Sequence, residues 1–400
     1  MNILFYHGDE TCPTMGGIQR TTSIVAEELK NKYGHSCYNI YDYEKPYPAE
    51  VPRYKYEESR RMPMSFSPES IANLLKEWNI DVIVNQMGIS QNKIFRKAIM
   101  LTKRDCKLFY FHHNTPRRLF DLSFSGQLRQ FKKSKALKSR LKACIKISLF
   151  PFYRTIVKYK TLYKNASDYR QIYLDADKFV LLSKYFKEEW VELTGIKDLS
   201  KLIAIPNARS FDKVADSTII REKEKRVLIV ARMIEFPKQI LVALRVWNNL
   251  QRKNNIKDWK FDIVGTGPDL DLFKEYARRH NISNVTFYGR QESMSFFKKA
   301  SIFLMPSIRE GWPMTLMEAM QMGVVPVAFD SFGAVREIIA NGETGFLIKP
   351  FDEHAFADRV LELIKNKQLR ESMAEKAVKS TDRFTKEKVI EMWEKLLTEK

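Results

Sequence analysis

The sequence predicts an α/β chain built from two doubly wound parallel sheets, and three observations carry this. Short apolar runs alternate with segments of helical apolar spacing along most of the 400 residues, the pattern of repeated strand–helix units. The alternation starts afresh at Arg226, after a polar stretch, residues 211–225, that lacks apolar periodicity and reads as a linker. Residues 301–330 spell strand, loop, helix and strand in one block: an apolar run 302–305, a polar loop opening at Pro306, a helical pattern closed by Gly323, and a second apolar run 324–329. Pro in the first helical turn and Gly just past the last punctuate such a helix.

Composition narrows the class. A chain of 400 residues suits two domains, and 44% hydrophobic residues are enough for full cores. The start, MNILFYHG, reads as a first buried strand, so no signal peptide is expected. No run of eighteen or more apolar residues suggests a membrane span. Cys12, Cys37, Cys106 and Cys144 lie far apart without metal-ligand spacing, as reduced thiols of a cytoplasmic protein would. The net charge of +20 is the unusual number, and it favours an anionic partner.

Taken in order, residues 2–7 form the first strand, 8–15 a loop, and a helix follows from about Thr21 to Lys32, with Ile24, Val25 and Leu29 at helical spacing. Gly16 and Gly17 stand between them, where a glycine pair lets backbone approach a ligand closely or simply makes a tight turn. Residues 36–43 form the second strand, 41–68 an irregular excursion rich in Tyr, Pro and charge, 68–78 a helix, and 81–85 a buried strand. A helix at 94–102 leads to the strand 107–111, which ends in His112-His113-Asn114-Thr115-Pro116. A His at the carboxyl end of a parallel strand is well placed for chemistry. In extended backbone the two rings point to opposite faces, and no third ligand accompanies them, so no metal site is expected.

Residues 117–175 form a basic block, with fifteen Lys and Arg against three acids, a surplus of +12. Leu137, Leu141, Cys144, Ile145, Ser148 and Leu149 make one helical face ringed by lysines, the form of a basic amphipathic helix at a membrane surface, or of a solvated helical pair at a domain edge. No RNA- or DNA-binding motif accompanies the charge, so nucleic acid is not an expected partner. Strands at 178–182 and 201–205 then close the first half, the second running into Pro206-Asn207-Ala208.

The second half opens with the strand 226–232 and the spacing Arg232-x5-Lys238. Two cations near a leaving diphosphate would neutralise charge that grows as the bond breaks. The strand 260–265 is followed by Gly265-Thr-Gly267-Pro268, which raises a dinucleotide reading, yet Leu270 occupies the third glycine position and no acid for a ribose ends the strand near Gly289-Arg290. In the central block the loop holds Glu310, Gly311 and Pro313, and the helix opens near Met314 and Thr315. Loops at the carboxyl ends of parallel strands bind ligands, and a helix N-terminus suits a phosphate. Helices at 352–366, 368–379 and 384–400 follow, the last with Val389, Met392, Trp393 and Leu396 on one face.

Glu310-Gly-Trp-Pro-Met-Thr-Leu-Met-Glu318, with the downstream VPVAFDSFGAVREIIANGETGFLI, resembles the E-x7-E block of retaining GT-B glycosyltransferases of the large family 4 class. The resemblance is strong from Arg226 to Pro350 and thinner before it. It implies the GT-B fold: two Rossmann-like domains facing across a cleft, residues 1–210 on the acceptor side with 117–175 as a basic insertion, and 226–383 binding the nucleotide sugar. The last helix, 384–400, would cross back to the first domain. By the same resemblance Gly16 and Gly17 face the donor phosphates, and the strand-end His, matched better by His113 than by His112, lies near the transferred sugar. Which of the two histidines faces the ligand stays open. Arg232 and Lys238 take the diphosphate, Gly289 and Arg290 meet the base, Glu310 with Gly311 holds the sugar, and Glu318 holds the ribose. Gln239 stands where the family usually has Gly.

The expected function is therefore transfer of a sugar, with retention, from a nucleotide-diphosphate donor to a saccharide acceptor in cell-surface polysaccharide assembly, with no metal and no cofactor beyond the donor. The basic block points to a lipid-linked saccharide and to an anionic membrane face, at the inner side of the membrane. The rival readings are a nucleotide-dependent dehydrogenase using Gly265 and Gly267, and a non-catalytic basic binding protein on the same scaffold.

Overall fold

A computed structural model describes residues 1–9, 17–43, 54–62, 66–117 and 150–399, with the side chains of 150–154 left out of the description. Gly16, Cys12, Cys144 and the amphipathic face predicted at 137–149 lie outside the described residues.

Among the described residues all strand pairings are parallel and fall into two sheets. The first contains β1 (Asn2–Asp9), β2 (Ser36–Tyr43), β3 (Ser59–Arg61), β4 (Val82–Asn85), β5 (Lys107–His112), β6 (Lys178–Leu181) and β7 (Leu202–Ala204), in the order β3-β2-β1-β4-β5-β6-β7. The second contains β8 (Arg226–Val230), β9 (Lys260–Val264), β10 (Val285–Gly289), β11 (Ile302–Met305), β12 (Val325–Phe329) and β13 (Phe346–Ile348), in the order β10-β9-β8-β11-β12-β13. Counted within each half, the order is 3-2-1-4-5-6, with one strand more in the first. This is the doubly wound arrangement the sequence predicts. Strands buried on both faces read as continuous apolar runs, and β4, β11 and β12 are buried at every position.

The chain divides into two compact units. One comprises Met1–Arg117, Tyr163–Ala208 and Phe384–Lys400, and the other Arg118–Leu162 and Arg209–Arg383. The C-terminal helix Lys386–Thr398 belongs to the first unit, where Val389, Ile390, Trp393, Leu396 and Leu397 join the core around Ile3, Phe5 and Val84. The Trp393 ring stacks on Phe111 at 4.2 Å and 8°. A helix of this length is marginal alone in water, so packing holds it. Met392, expected on the buried face, is exposed, and Ile390 and Leu397 take that role.

Three expectations are corrected. Residues 211–225 are not a free linker, because they are bonded into the second unit. Ala215 N–H donates to the Gln321 carbonyl, Asp216 caps the helix Ser217–Arg221, and Ile220 is buried in the second core. The polar residues that suggested a linker are this short helix's cap and exposed face. The basic insertion does not extend to 175, because within the helix Phe150–Asp175 the residues Ala166, Tyr169, Ile172 and Tyr173 are buried, at the i, i+3, i+6, i+7 spacing of a core-facing helix. The excursion at 41–68 contains β3, an edge strand registered against β2 from Asn39 to Tyr41, with Arg60 paired to Glu77 at 2.7 Å. Charge on a short edge strand discourages further pairing.

The first helix spans Gly17–Tyr33, earlier than periodicity alone suggests. Its polar opening is tolerated because Thr21 and Ser23 return their hydroxyls to the carbonyls of Gly17 and Gln19.

Candidate active site

In an open parallel sheet the ligand crevice opens beyond the carboxyl ends of the strands, where the strand order reverses. In the second unit that point lies between β8 and β11, and the loops leaving these strands carry Arg232 with Lys238 and Glu310 with Thr315.

The loop after β8 is pinned on both sides. Met233 exchanges backbone bonds with Thr266 and Asp269, and the Asp269 carboxylate accepts Glu235 N–H at 2.8 Å. On the other side Ile308 N–H donates to the Pro237 carbonyl at 3.0 Å, and the Arg309 guanidinium lies 5.2 Å over the Phe236 ring. Gln239 then turns with φ +54, the left-handed region where glycine is cheap and other residues are strained. The family-like glycine position thus keeps its glycine conformation although the residue is Gln.

These constraints bring together residues 72 apart in sequence: Lys238 Nζ donates to Glu310 Oε1 at 2.5 Å. Both side chains are mostly buried, at 23% and 15% exposure, so each screens the other's charge. Beside them a pocket is lined by Lys238, Thr315, Ala231, Met305, Pro306 and Ser307. The helix Met314–Gln321 begins there with Pro313 before it and no side-chain cap, so its positive end lies at the pocket that Thr315 lines. Gly311 lies partly buried in the loop. Arg232 is exposed at the end of β8, outside that lining, and makes no ion pair among the described residues.

Glu318 is 2% exposed and accepts the Ser210 hydroxyl at 2.8 Å. One helical turn on, Gln321 takes the N–H groups of Ser210 and Phe211 and donates to the Phe211 carbonyl. Sequence reading missed Ser210 and Gln321. The one available signal was a buried-face Gln one turn after Glu318.

Gly265, Gly267 and Gly289 have separable reasons. A Cβ on Gly265 would lie 1.8 Å from the Ala231 carbonyl oxygen, and one on Gly267 2.3 Å from that of Met233. The G-x-G spacing therefore lets this loop press on the β8 loop, which gives both glycines a packing reason that involves no dinucleotide. Gly289 sits at φ +70 and its carbonyl accepts Gly265 N–H at 2.7 Å, while Arg290 is exposed beside it.

In the first unit the order reverses between β1 and β4. Of the predicted glycine pair only Gly17 is described, and it opens the first helix. After β4, Asn85 Oδ1 accepts the N–H groups of Met87 and Gly88 and shapes the turn that presents Gln86. Gln86 Oε1 accepts His113 Nε2–H and the Thr22 hydroxyl, each at 2.8 Å. His113 Nδ1 and Gln86 Nε2 are enclosed without a partner. Burial first, then His7 and His112, push the His113 pKa down to about 3, so the ring is neutral at physiological pH. His112 is held differently: it is buried, 3.3 Å from the Tyr169 hydroxyl and 3.4 Å from the Thr115 carbonyl, against the Tyr169 ring. Of the two histidines left open by the sequence, His113 is the one with a free ring nitrogen. Thr22 and the pairing of Gln86 with His113 were not foreseen, since nothing local marks them.

Two parallel, doubly wound units are the architecture of the GT-B fold. Residues 210–380 match the family model described as glycosyl transferases group 1. The whole chain superimposes on the Anabaena protein HepE, solved in complex with UDP, with a TM-score of 0.71 at 15% identity, covering 100% of each chain. An uncharacterized glycosyltransferase of Haemophilus influenzae is 29% identical over 55% of this chain and 61% of its own. The amylovoran biosynthesis glycosyltransferase of Erwinia amylovora is 23% identical over 82% of this chain and 93% of its own. The first of these relatives is thus matched over about three-fifths of its length. Among the described residues no helix is long and apolar enough to cross a membrane.

Proposed function

We propose that the protein transfers a sugar, with retention at the anomeric carbon, from a nucleoside-diphosphate donor to a saccharide acceptor in cell-surface polysaccharide assembly, as a family 4 type enzyme. The observation that carries this reading is the Lys238–Glu310 pair beside the start of the Thr315 helix. Without donor the two charges neutralise each other. A diphosphate arriving at the helix start would draw Lys238 toward its oxygens and release the Glu310 carboxylate to accept sugar hydroxyls. One exchange then arms both halves of the site.

As the glycosidic bond breaks, positive charge develops on the sugar and negative charge on the leaving phosphate. Lys238, the exposed Arg232 and the helix N–H groups meet that negative charge. The leaving phosphate accepts the acceptor's proton, so Glu310 positions the sugar and no separate base is required. Because cations of the chain face the diphosphate, we infer that no metal is needed, and activity should survive chelation by EDTA.

Neutral His113, whose enclosed Nδ1 has no partner, suits a hydroxyl and not a charged group. The relative from Erwinia supports a polysaccharide product, and the UDP in HepE makes UDP-sugars the first donors to test. The +12 surplus of residues 117–175 supports a lipid-linked acceptor at an anionic membrane face. Sedimentation with anionic vesicles at low salt and release at high salt would support that placement, while salt-insensitive behaviour would favour a soluble acceptor.

The deciding experiment incubates the protein with UDP-, GDP- and ADP-sugars and a panel of saccharide acceptors and measures nucleoside-diphosphate release. Product NMR then reads the anomeric configuration. Release from one donor, abolished by Glu310→Ala in folded protein, supports the proposal. Release that Glu310→Ala leaves intact, or an inverted product, overturns it.

A further inference from the structure

A second concavity of the same unit has no place in this chemistry. Ile220, Arg221 and Lys223 from the segment before β8, Ser301 at the foot of β11, Gly323 after the Met314–Gln321 helix, and Lys367, Arg370 and Glu371 line it. It lies at the amino ends of β8 and β11, and the donor pocket lies at their carboxyl ends. Strands of this length put about 15 Å between the two.

The lining is cationic and incompletely paired. Four bases face a single carboxylate, Glu371, which sits 3.6 Å from Lys367. Lys223 Nζ donates to the Phe297 carbonyl at 2.6 Å and makes no other bond among the described residues. An ammonium has three N–H donors, so two of them remain for an acceptor in the concavity. Burial alone, with no carboxylate beside it, pushes the Lys223 pKa down to about 7. Of the two acids that flank it in sequence, Glu222 and Glu224, neither pairs with Lys223 among the described residues, and Glu224 is turned to Arg226 at 2.5 Å. Arg221 bonds Ser217 through Nε and one terminal nitrogen, and Arg370 bonds the Leu363 carbonyl through one nitrogen. Each guanidinium therefore keeps N–H groups to spare. Lys367 also opens the helix Lys367–Ser380, so that helix's positive end adds to the field.

From this geometry we infer that the concavity is a binding site for a phosphate-class oxyanion, separate from the donor site. Phosphate is compact, multiply charged and rich in acceptor oxygens, which suits converging Arg and Lys donors. The Met314–Gln321 helix joins the two places, with Thr315 at the donor pocket and Gly323, at φ +66, in the cationic one. An anion held at its far end would therefore act on the element that opens the donor site.

The phosphate could be a free ion or a lipid headgroup, and the test separates these. Inorganic phosphate is titrated by calorimetry into wild-type protein, into Arg232→Ala/Lys238→Ala, which blinds the donor site, and into Arg221→Gln/Lys367→Gln. The last two changes are at partnerable surface positions, so folding is preserved where a Lys223 variant could fail. Binding should persist in the donor-site variant and weaken about tenfold for each cation lost in the pocket variant. Flotation of the same three proteins with phosphatidylglycerol vesicles is the second arm. Loss of flotation together with phosphate binding in Arg221→Gln/Lys367→Gln assigns the site to a headgroup, and loss of phosphate binding alone assigns it to a soluble phosphate. Phosphate binding that is absent in the wild type, or that follows Arg232 and Lys238 instead of Arg221 and Lys367, overturns the inference.

Discussion

The two units share a strand order and differ in what they place at its reversal. Between β8 and β11 stands an ion pair, Lys238 with Glu310, beside an uncapped helix start. At the corresponding edge of the first sheet stands a neutral network in which Gln86 accepts from His113 and Thr22. One topology thus serves opposite chemistry. Charges that neutralise each other can be exchanged for a diphosphate, whereas neutral hydrogen-bonding groups suit hydroxyls. What differs is the side chains on a few strand-end loops, which is why fold alone names a class and not a reaction.

The units also differ in how they are completed, and this gives the largest expected effect. Only the first borrows the distant helix Lys386–Thr398. Trp393→Ala should remove about 3–5 kcal/mol from that unit. Urea unfolding followed by separate probes should then show its transition shifted and that of the second unit unmoved, and a common shift would mean the units do not unfold separately. Next comes the charged site. Lys238→Ala leaves Glu310 unpaired and the diphosphate unmet, and should lower kcat by about 10²–10³ with the fold retained by circular dichroism.

The neutral site predicts a pH signature that the charged one lacks. The folded pKa of His113 lies below its unfolded value, so its charged form is disfavoured in the fold. The associated stability is fully present above pH ~6.5 and is lost as pH falls toward ~3, with a slope approaching about 1.4 kcal/mol per pH unit. His113→Asn should flatten that part of the stability profile, read by denaturant midpoints across the range, and an unchanged slope would place the titration elsewhere. The smallest effect belongs to the turn before the helix Ile240–Lys253. Gln239→Gly should raise the second unit's stability by up to about 1 kcal/mol, since glycine adopts φ +54 without strain. A loss would mean that the contact of the Gln239 side chain with the Glu235 carbonyl outweighs the backbone relief.

Legibility followed locality. The E-x7-E block, the Arg232–Lys238 spacing and the strand–loop–helix run at 302–321 are written in adjacent residues, and the sequence carried them. The role of 211–225 was not legible, because its polar residues read alike whether they face water or cap a helix against Gln321. Gln86 was silent for a similar reason: a single Gln after a strand acquires meaning only when β5 brings His113 beside it. Gly265 and Gly267 misled in the opposite direction. Their spacing imitates a dinucleotide loop, but their missing side chains make room for the backbone of Ala231 and Met233.

By itself the sequence determined the alternation of elements, the class they build and the cations and carboxylates available, since periodicity and charge are local properties of the chain. The tertiary structure alone decided that β8 lies against β11, setting Lys238 upon Glu310 across 72 residues, and that Ser210 meets Glu318 across 108. Parallel strands are joined by crossovers, so neighbours in the sheet need not be neighbours in the chain. Which partner each strand takes is settled by burying both faces at once, and no local pattern of residues records that outcome.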